Sequence, residues 1–254
     1  MHGGQYDTCG AVNRDPAHFA IDGDGADIIA PWIAALGVKK DWDKDGFPEF
    51  NVQCSGSILT PNIVISAAHC FDQTAVGQGF NVTDLIVRAG ATRIESDKHQ
   101  EIEIEHHVKH DKYNDPNIYF DVSLVKLAQN LIFNQRVQAI CLPSAPTPIG
   151  GGVLVTVQGW GKSSEGYRGE LTQINVASRF VFVYYTLKVF VDIIYFVCRS
   201  HTICNFKYKN LPQDVTSILM PQLLPSQMFC TDGNANNAIG TCYGDSGGPL
   251  IKLF

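Results

Sequence analysis

Short β-branched and aromatic runs, each closed off by Gly, Pro, Asn or Asp, are what most limits the fold of this chain. Gly56-Ser57-Ile58-Leu59, Asn62-Ile63-Val64-Ile65-Ser66, Asp84-Leu85-Ile86-Val87-Arg88 and Val153-Leu154-Val155-Thr156-Val157 are of this kind, and another begins at Pro31-Trp32-Ile33-Ala34-Ala35-Leu36. Gln100-Glu101-Ile102-Glu103-Ile104-Glu105 alternates apolar and charged residues, the period of a strand with one face in water. No long amphipathic helix, internal repeat or low-complexity tract interrupts the series. Many short strands between turns bury their apolar faces by stacking or by closing into barrels, so the expected class is all-β. With 254 residues there is room for one large domain or two smaller barrels. The Pro-rich Cys141-Leu142-Pro143-Ser144-Ala145-Pro146-Thr147-Pro148 reads as a linker between two halves.

Apolar residues make up 45% and charged residues 17%, a globular balance. A net charge of −6 without a basic patch argues against a nucleic-acid partner. Eight irregularly spaced cysteines point to disulfides and an oxidising compartment. Zinc is the weaker reading, because no Cys-x-x-Cys pair occurs and the closest cysteines are Cys198 and Cys204. No metal or cofactor is expected. Asn81-Val82-Thr83 is a glycosylation acceptor, which marks Asn81. Met1 to Gly10 lacks the apolar core of a signal peptide, so the expectation is a piece of a longer secreted precursor. Phe180 to Val197 breaks the pattern: it is almost wholly β-branched or aromatic, with only Lys188 and Asp192 charged. As a helix it would span about 27 Å, barely a bilayer, and its composition favours strand. Translated intron sequence and a buried or partner-binding insertion both remain open, and no membrane partner is expected.

Thr241-Cys242-Tyr243-Gly244-Asp245-Ser246-Gly247-Gly248-Pro249-Leu250 carries the chemistry. A serine nucleophile needs a tight turn, with backbone N–H groups aimed at the oxyanion that forms beside it. Gly244 and Ser246 are placed to supply those two groups. The hydroxyl is a poor nucleophile until a base takes its proton. His69, in Ser66-Ala67-Ala68-His69-Cys70, is the candidate base. Asp121, opening Asp121-Val122-Ser123-Leu124-Val125-Lys126-Leu127, is the candidate that orients its ring. Taken singly, each has a bland reading: a loop, a half-buried histidine, a strand-edge carboxylate. The other histidines, His106, His107 and His110 among them, sit in no comparable motif and are expected to be solvated.

Together, and in the order His, Asp, Ser, the three segments closely resemble the trypsin-like (chymotrypsin-fold) serine peptidase family. The resemblance implies two antiparallel Greek-key β-barrels with the site between them, the second barrel incomplete. It implies a pro-region and tether over 1–19 and a peptidase domain over 20–254. The first barrel would cover about 28–135 and the second about 136–254. Gln158-Gly159-Trp160-Gly161 matches a tight turn of the family. By the same resemblance Cys54 pairs with Cys70, Cys9 with Cys141 and Cys204 with Cys230, leaving Cys198 and Cys242 over. Val155 and Lys252 stand where many relatives have a bridged cysteine pair.

The resemblance makes Asp245 the carboxylate that pairs with a new N-terminal amine on activation. The junction is atypical: Ala20-Ile21-Asp22-Gly23 follows Phe19, and the nearest basic residue, Arg14, precedes Asp15-Pro16. The chain stops at Phe254, short of the family's last strands and helix. Gly240 stands at the pocket floor, where relatives that cut after Arg or Lys have Asp, so an apolar or small side chain is expected there instead. The implied protein is a secreted, monomeric endopeptidase made as a zymogen. It acts on protein or peptide substrates through an acyl-enzyme and is open to protein inhibitors. The alternative is a catalytically silent homologue that binds partners, or a sequence read from an incompletely defined gene.

Overall fold

The computed structural model describes residues 9–10, 30–39, 50–72, 82–93, 99–114, 120–142, 154–161, 171–178, 231–232 and 244–251. Six strands form a closed antiparallel barrel: β1 (Ile33–Lys39), β2 (Phe50–Thr60), β3 (Ile63–Ser66), β4 (Ile86–Ala89), β5 (Gln100–Lys109) and β6 (Ser123–Leu127). Their order is β1-β2-β3-β6-β5-β4, and pairing of Ala34 with Ala89 and Gly37 with Ile86 closes the ring. Four further strands, β7 (Leu154–Gly159), β8 (Thr172–Ser178), β9 (Thr231–Asp232) and β10 (Leu250–Ile251), form a sheet in the order β10-β7-β8-β9. The described residues contain no α-helix, only 3-10 turns at His69–Phe71 and Val82–Asp84. The expected all-β class holds.

β1 is apolar without alternation because both of its faces are covered. Ala34, Leu36 and Val38 join Ile58, Val64, Val87, Val125 and Leu127 inside the barrel. Ile33 and Ala35 join Trp32, Phe50, Val52, Trp160 and Leu171 in a second cluster, which seals the barrel against the second sheet. Each large side chain removed from water in these clusters contributes about 1.5–3 kcal/mol. Trp32 Nε1–H donates to Gln158 Oε1 at 2.9 Å across the same seam.

Two strands differ from the sequence expectation. The run from Asp84 starts as strand only at Ile86. Val82–Asp84 is a 3-10 turn, and the Leu85 N–H donates to the Val82 carbonyl at 3.2 Å. The buried Leu85 side chain draws this turn onto the barrel, while Thr83 and Asp84 face water. In β5, Ile102 and Ile104 pack on the core while Glu103 and Glu105 are exposed. The strand then continues through a register shift between Ile104 and His106 that changes its phase. His107 is therefore half-buried and stacks on Phe71 at 4.4 Å, which corrects the expectation of a solvated histidine, whereas His106 does lie in solvent. Glu101 hydrogen-bonds Lys39 and Arg88. Burial alone would raise its carboxyl pKa, but those two cations outweigh it and hold the group below its usual range.

Disulfides join Cys54 to Cys70 and Cys9 to Cys141. Beside the second, the Gly10 N–H donates to the Ala139 carbonyl at 2.8 Å, so the N-terminal segment is strapped to the chain just beyond the barrel. Asn81, Cys198, Cys204, Cys230, Gly240, Cys242 and Lys252 lie outside the described residues, as do Arg14, Ala20 to Gly23, Pro143 to Pro148 and Phe180 to Val197.

Candidate active site

The meeting of His69 and Asp121 follows from strand register. β3 and β6 are antiparallel neighbours, and Ser66 at the end of β3 faces Ser123 at the start of β6. The chain leaving β3 therefore passes the chain entering β6. His69 opens the 3-10 turn after β3, and Asp121 lies just before β6. The Asp121 carboxylate takes two bonds from one residue. Oδ1 accepts the His69 backbone N–H at 2.8 Å, and Oδ2 lies 2.6 Å from Nδ1. Their side chains are 7% and 15% exposed, so little water competes for the pair. Phe120, one residue earlier, has φ 54°, a left-handed conformation that raises the local energy by about 1–3 kcal/mol for a residue other than glycine. The Val122 N–H to Phe120 carbonyl bond at 2.7 Å and the stacking of His110 on the Phe120 ring hold this kink, which turns Asp121 towards His69.

Asp72, just past the His69 turn, is also tied down. Tyr113 donates its hydroxyl to Asp72 Oδ2 at 2.5 Å, and Lys109 pairs with Oδ1. Asp72, Lys109 and Tyr113 stand in no motif, and only the pairing of β6 with β3 on one side and β5 on the other brings them together.

The segment that carries the candidate nucleophile, Ser246, leads into β10 of the second sheet. Gly244 has φ +100° and Gly247 φ +84°, both in the region that side chains resist, so the turn around Ser246 depends on glycine at each end. A Cβ on Gly247 would sit 2.2 Å from Ser66 Oγ and 2.3 Å from the Ser55 carbonyl oxygen, so the turn lies directly on the barrel backbone. The Ser55 N–H donates to the Ser246 carbonyl at 2.7 Å. His69 Nε2 and the Ser246 carbonyl oxygen both lie 3.8 Å from Cys70 Sγ, which brings the candidate base and the backbone of the candidate nucleophile around one sulfur atom. Asp245 turns the other way, and its Oδ1 accepts the Gly161 N–H at 2.7 Å. A Cβ on Gly159 or Gly161 would lie within 2.3 Å of that carboxylate, which is why the Gly159-Trp160-Gly161 turn carries glycine at both positions.

Cys54, His69 and Cys70 bring one sulfur or nitrogen each within 4.8 Å of one another. Both sulfurs are held in the disulfide and offer no thiolate, so the trio is no metal centre.

A family model described as Trypsin matches residues 22–179 and 199–253. The chain belongs to the trypsin family. The match skips 180–198, the stretch that contains the apolar run from Phe180. Among trypsin-family relatives, the chain is 28% identical to Trypsin-2 of Salmo salar over 200 residues, 78% of this chain and 68% of that protein. It is 29% identical to human Mannan-binding lectin serine protease 1 and 27% identical to Clotting factor C of Tachypleus tridentatus. Those alignments cover 88% and 96% of this chain but only 28% and 22% of the longer relatives. Membership of the trypsin family places the chain with the serine proteases, which are hydrolases, and gives it the trypsin fold.

Proposed function

We propose that this trypsin-family chain is the catalytic part of a secreted serine endopeptidase, made as a zymogen, that cleaves peptide bonds through an acyl-enzyme. The observation that carries this reading is the double grip of Asp121 on His69, with the Ser246 turn docked beside it. A carboxylate accepting from Nδ1–H leaves Nε2 as the lone-pair nitrogen and stabilises the imidazolium that follows proton transfer. His69 then takes the Ser246 proton as the hydroxyl attacks the carbonyl carbon, and returns it to the departing amine. The backbone N–H groups of Gly244 and Ser246 receive the oxyanion. Water repeats the sequence on the ester. Asp245, lying against the Gly159–Gly161 turn, is the acceptor for the activating N-terminal amine. Protein or peptide chains are the substrates, and the enzyme acts as a monomer outside the cell.

The test is covalent labelling by a fluorophosphonate. Wild-type enzyme takes up the probe, Ser246→Ala takes up none, and His69→Ala reacts orders of magnitude more slowly. Labelling that persists in Ser246→Ala removes Ser246 from the role. Gly240 leaves the primary pocket floor uncharged, so the enzyme cleaves after Leu, Phe or small apolar residues in preference to Arg, whose guanidinium would lose hydration uncompensated. Gly240→Asp moves kcat/KM towards Arg and Lys across a matched peptide panel. A wild-type preference for Arg refutes the pocket reading.

A further inference from the structure

We propose that the Ser55 hydroxyl is a positioning residue of this active site, pinning the Gly244 corner of the oxyanion hole to the Gly159–Gly161 turn. The inference rests on the reading of Gly244 and Ser246 as oxyanion donors. Ser55 lies in β2, has no exposed surface, and has every polar atom engaged. Its N–H donates to the Ser246 carbonyl at 2.7 Å, and its carbonyl accepts the Ser66 hydroxyl at 2.7 Å. These two bonds use the backbone of residue 55 and survive a change of side chain. The other two belong to the hydroxyl alone. Ser55 Oγ–H donates to the Gly244 carbonyl at 2.8 Å, and Oγ accepts the Trp160 N–H at 3.0 Å.

One barrel atom thus holds two separate segments of the second half, one after β7 and one just ahead of the nucleophile. Gly244, at φ +100°, has no side chain to fix its own rotation. The direction of its peptide groups must be set from outside, and the Ser55 hydroxyl sets the carbonyl. Oxyanion donors act only when they stand about 2.7–3.1 Å from the place where charge develops, so a small rotation at Gly244 matters to the rate. Asp245 joins the same two segments through Gly161, which leaves Ser55 to fix the corner rather than to hold those two segments together. The sequence gives no hint of this role, since Ser55 sits in an ordinary strand and its partners lie more than 100 residues away.

The experiment compares Ser55→Ala and Ser55→Gly with wild type in the full-length, activated enzyme, with rates expressed per site titrated by the fluorophosphonate. Ser55→Ala lowers kcat about tenfold to a hundredfold with KM little changed, a loss smaller than that of an oxyanion donor itself. Affinity for a peptide boronate, which places oxygen in the hole, falls by the same factor, while affinity for the cleaved product peptide stays. Ser55→Gly loses less, because the vacated space admits a water that bridges Trp160 and Gly244. The glycine variant also carries the test if the alanine variant does not fold. Ser55 variants with wild-type kcat per site and wild-type boronate affinity, even at a lowered melting temperature, overturn the inference and leave the peptidase reading intact. Wild-type enzyme that takes up no probe at Ser246 overturns both.

Discussion

His69 and Asp121 stand beside neighbouring strands of one closed barrel, whereas Ser246 stands on a turn that leads into a strand of two residues, the outermost of the second sheet among the described residues. The two regions keep their geometry by different means. In the barrel, the register of β3 and β6 delivers both residues, and the fully buried side chains of Leu36, Ile58, Val64, Val87 and Val125 hold that register. At the proposed nucleophile, Ser246, two positive-φ glycines and a few polar contacts with β2 and the Gly159–Gly161 turn fix the backbone. Damage to the barrel should therefore appear as lost stability in molecules that still catalyse when folded. Damage to the turn, or to the grip on His69, should appear as lost catalysis in molecules that remain folded.

The largest effect is expected from Asp121→Asn. The amide presents an NH2 group where the carboxylate accepts from His69, which turns the ring to the wrong tautomer. In trypsin-type triads that loss amounts to about 10⁴ in kcat. Gly247→Ala comes next. Its Cβ meets Ser66 Oγ and the Ser55 carbonyl in a conformation alanine resists, so the turn must lift off the barrel. A displacement of about 1 Å is enough to lower the rate a hundredfold. Both variants should keep the wild-type near-UV circular dichroism and urea midpoint to within a small shift. If Gly247→Ala instead unfolds the protein before activity is lost, the turn is part of the folding core and the contrast between the two regions fails.

Leu36→Ala tests the other side. Leu36 is fully buried at the centre of the barrel, and its truncation should destabilise by about 2–5 kcal/mol, read from urea unfolding at unchanged m-value. Below the unfolding transition, kcat per titrated site should equal that of wild type. A lowered kcat per site would show that barrel packing and site geometry are coupled more tightly than the strand register implies.

Much of this division was legible in the residues, because local rules govern it. Alternation at Ile102 to Glu105 and the β-branched runs around Ile63 and Leu154 gave strands where strands stand. The segments around His69, Asp121 and Ser246 carried the family resemblance over a few residues each. What could not be read arises from pairing between distant segments. The register shift after Ile104 turns His107 inward, and no feature of Glu105-His106-His107-Val108 announces it. The same holds for the Asp72–Lys109–Tyr113 cluster and for the hydroxyl of Ser55. The turn at Val82–Asp84 was hidden because Leu85 and Ile86 continue the apolar run into β4, though Leu85 is buried from the turn rather than from the strand.

The smallest expected effect belongs to His107, and it sharpens the comparison because it lies in the barrel but touches the turn that carries His69. Its ring stacks on Phe71, two residues after His69. Burial holds its pKa below the ordinary value near 6.5; the charges of Lys109 and His106 add to the shift and that of Asp72 opposes it. The folded protein thus takes up this proton less readily than the unfolded chain. Well above a pH of about 6.5 both forms are neutral at His107 and the group contributes nothing to pH dependence. As pH falls below that value the unfolded chain binds the proton first, so stability declines until the folded pKa is passed. His107→Phe keeps an aromatic ring against Phe71 and removes the titration. Between pH 7.5 and pH 5.5 its melting temperature should therefore fall less than that of wild type, with every other titrating group common to the two proteins. Stability is the readout, because His107 lies outside the proposed relay of His69, Asp121 and Ser246. Parallel melting curves for the two proteins across this range would mean that the Phe71 stack accommodates the imidazolium, and that the acid sensitivity of the barrel lies elsewhere.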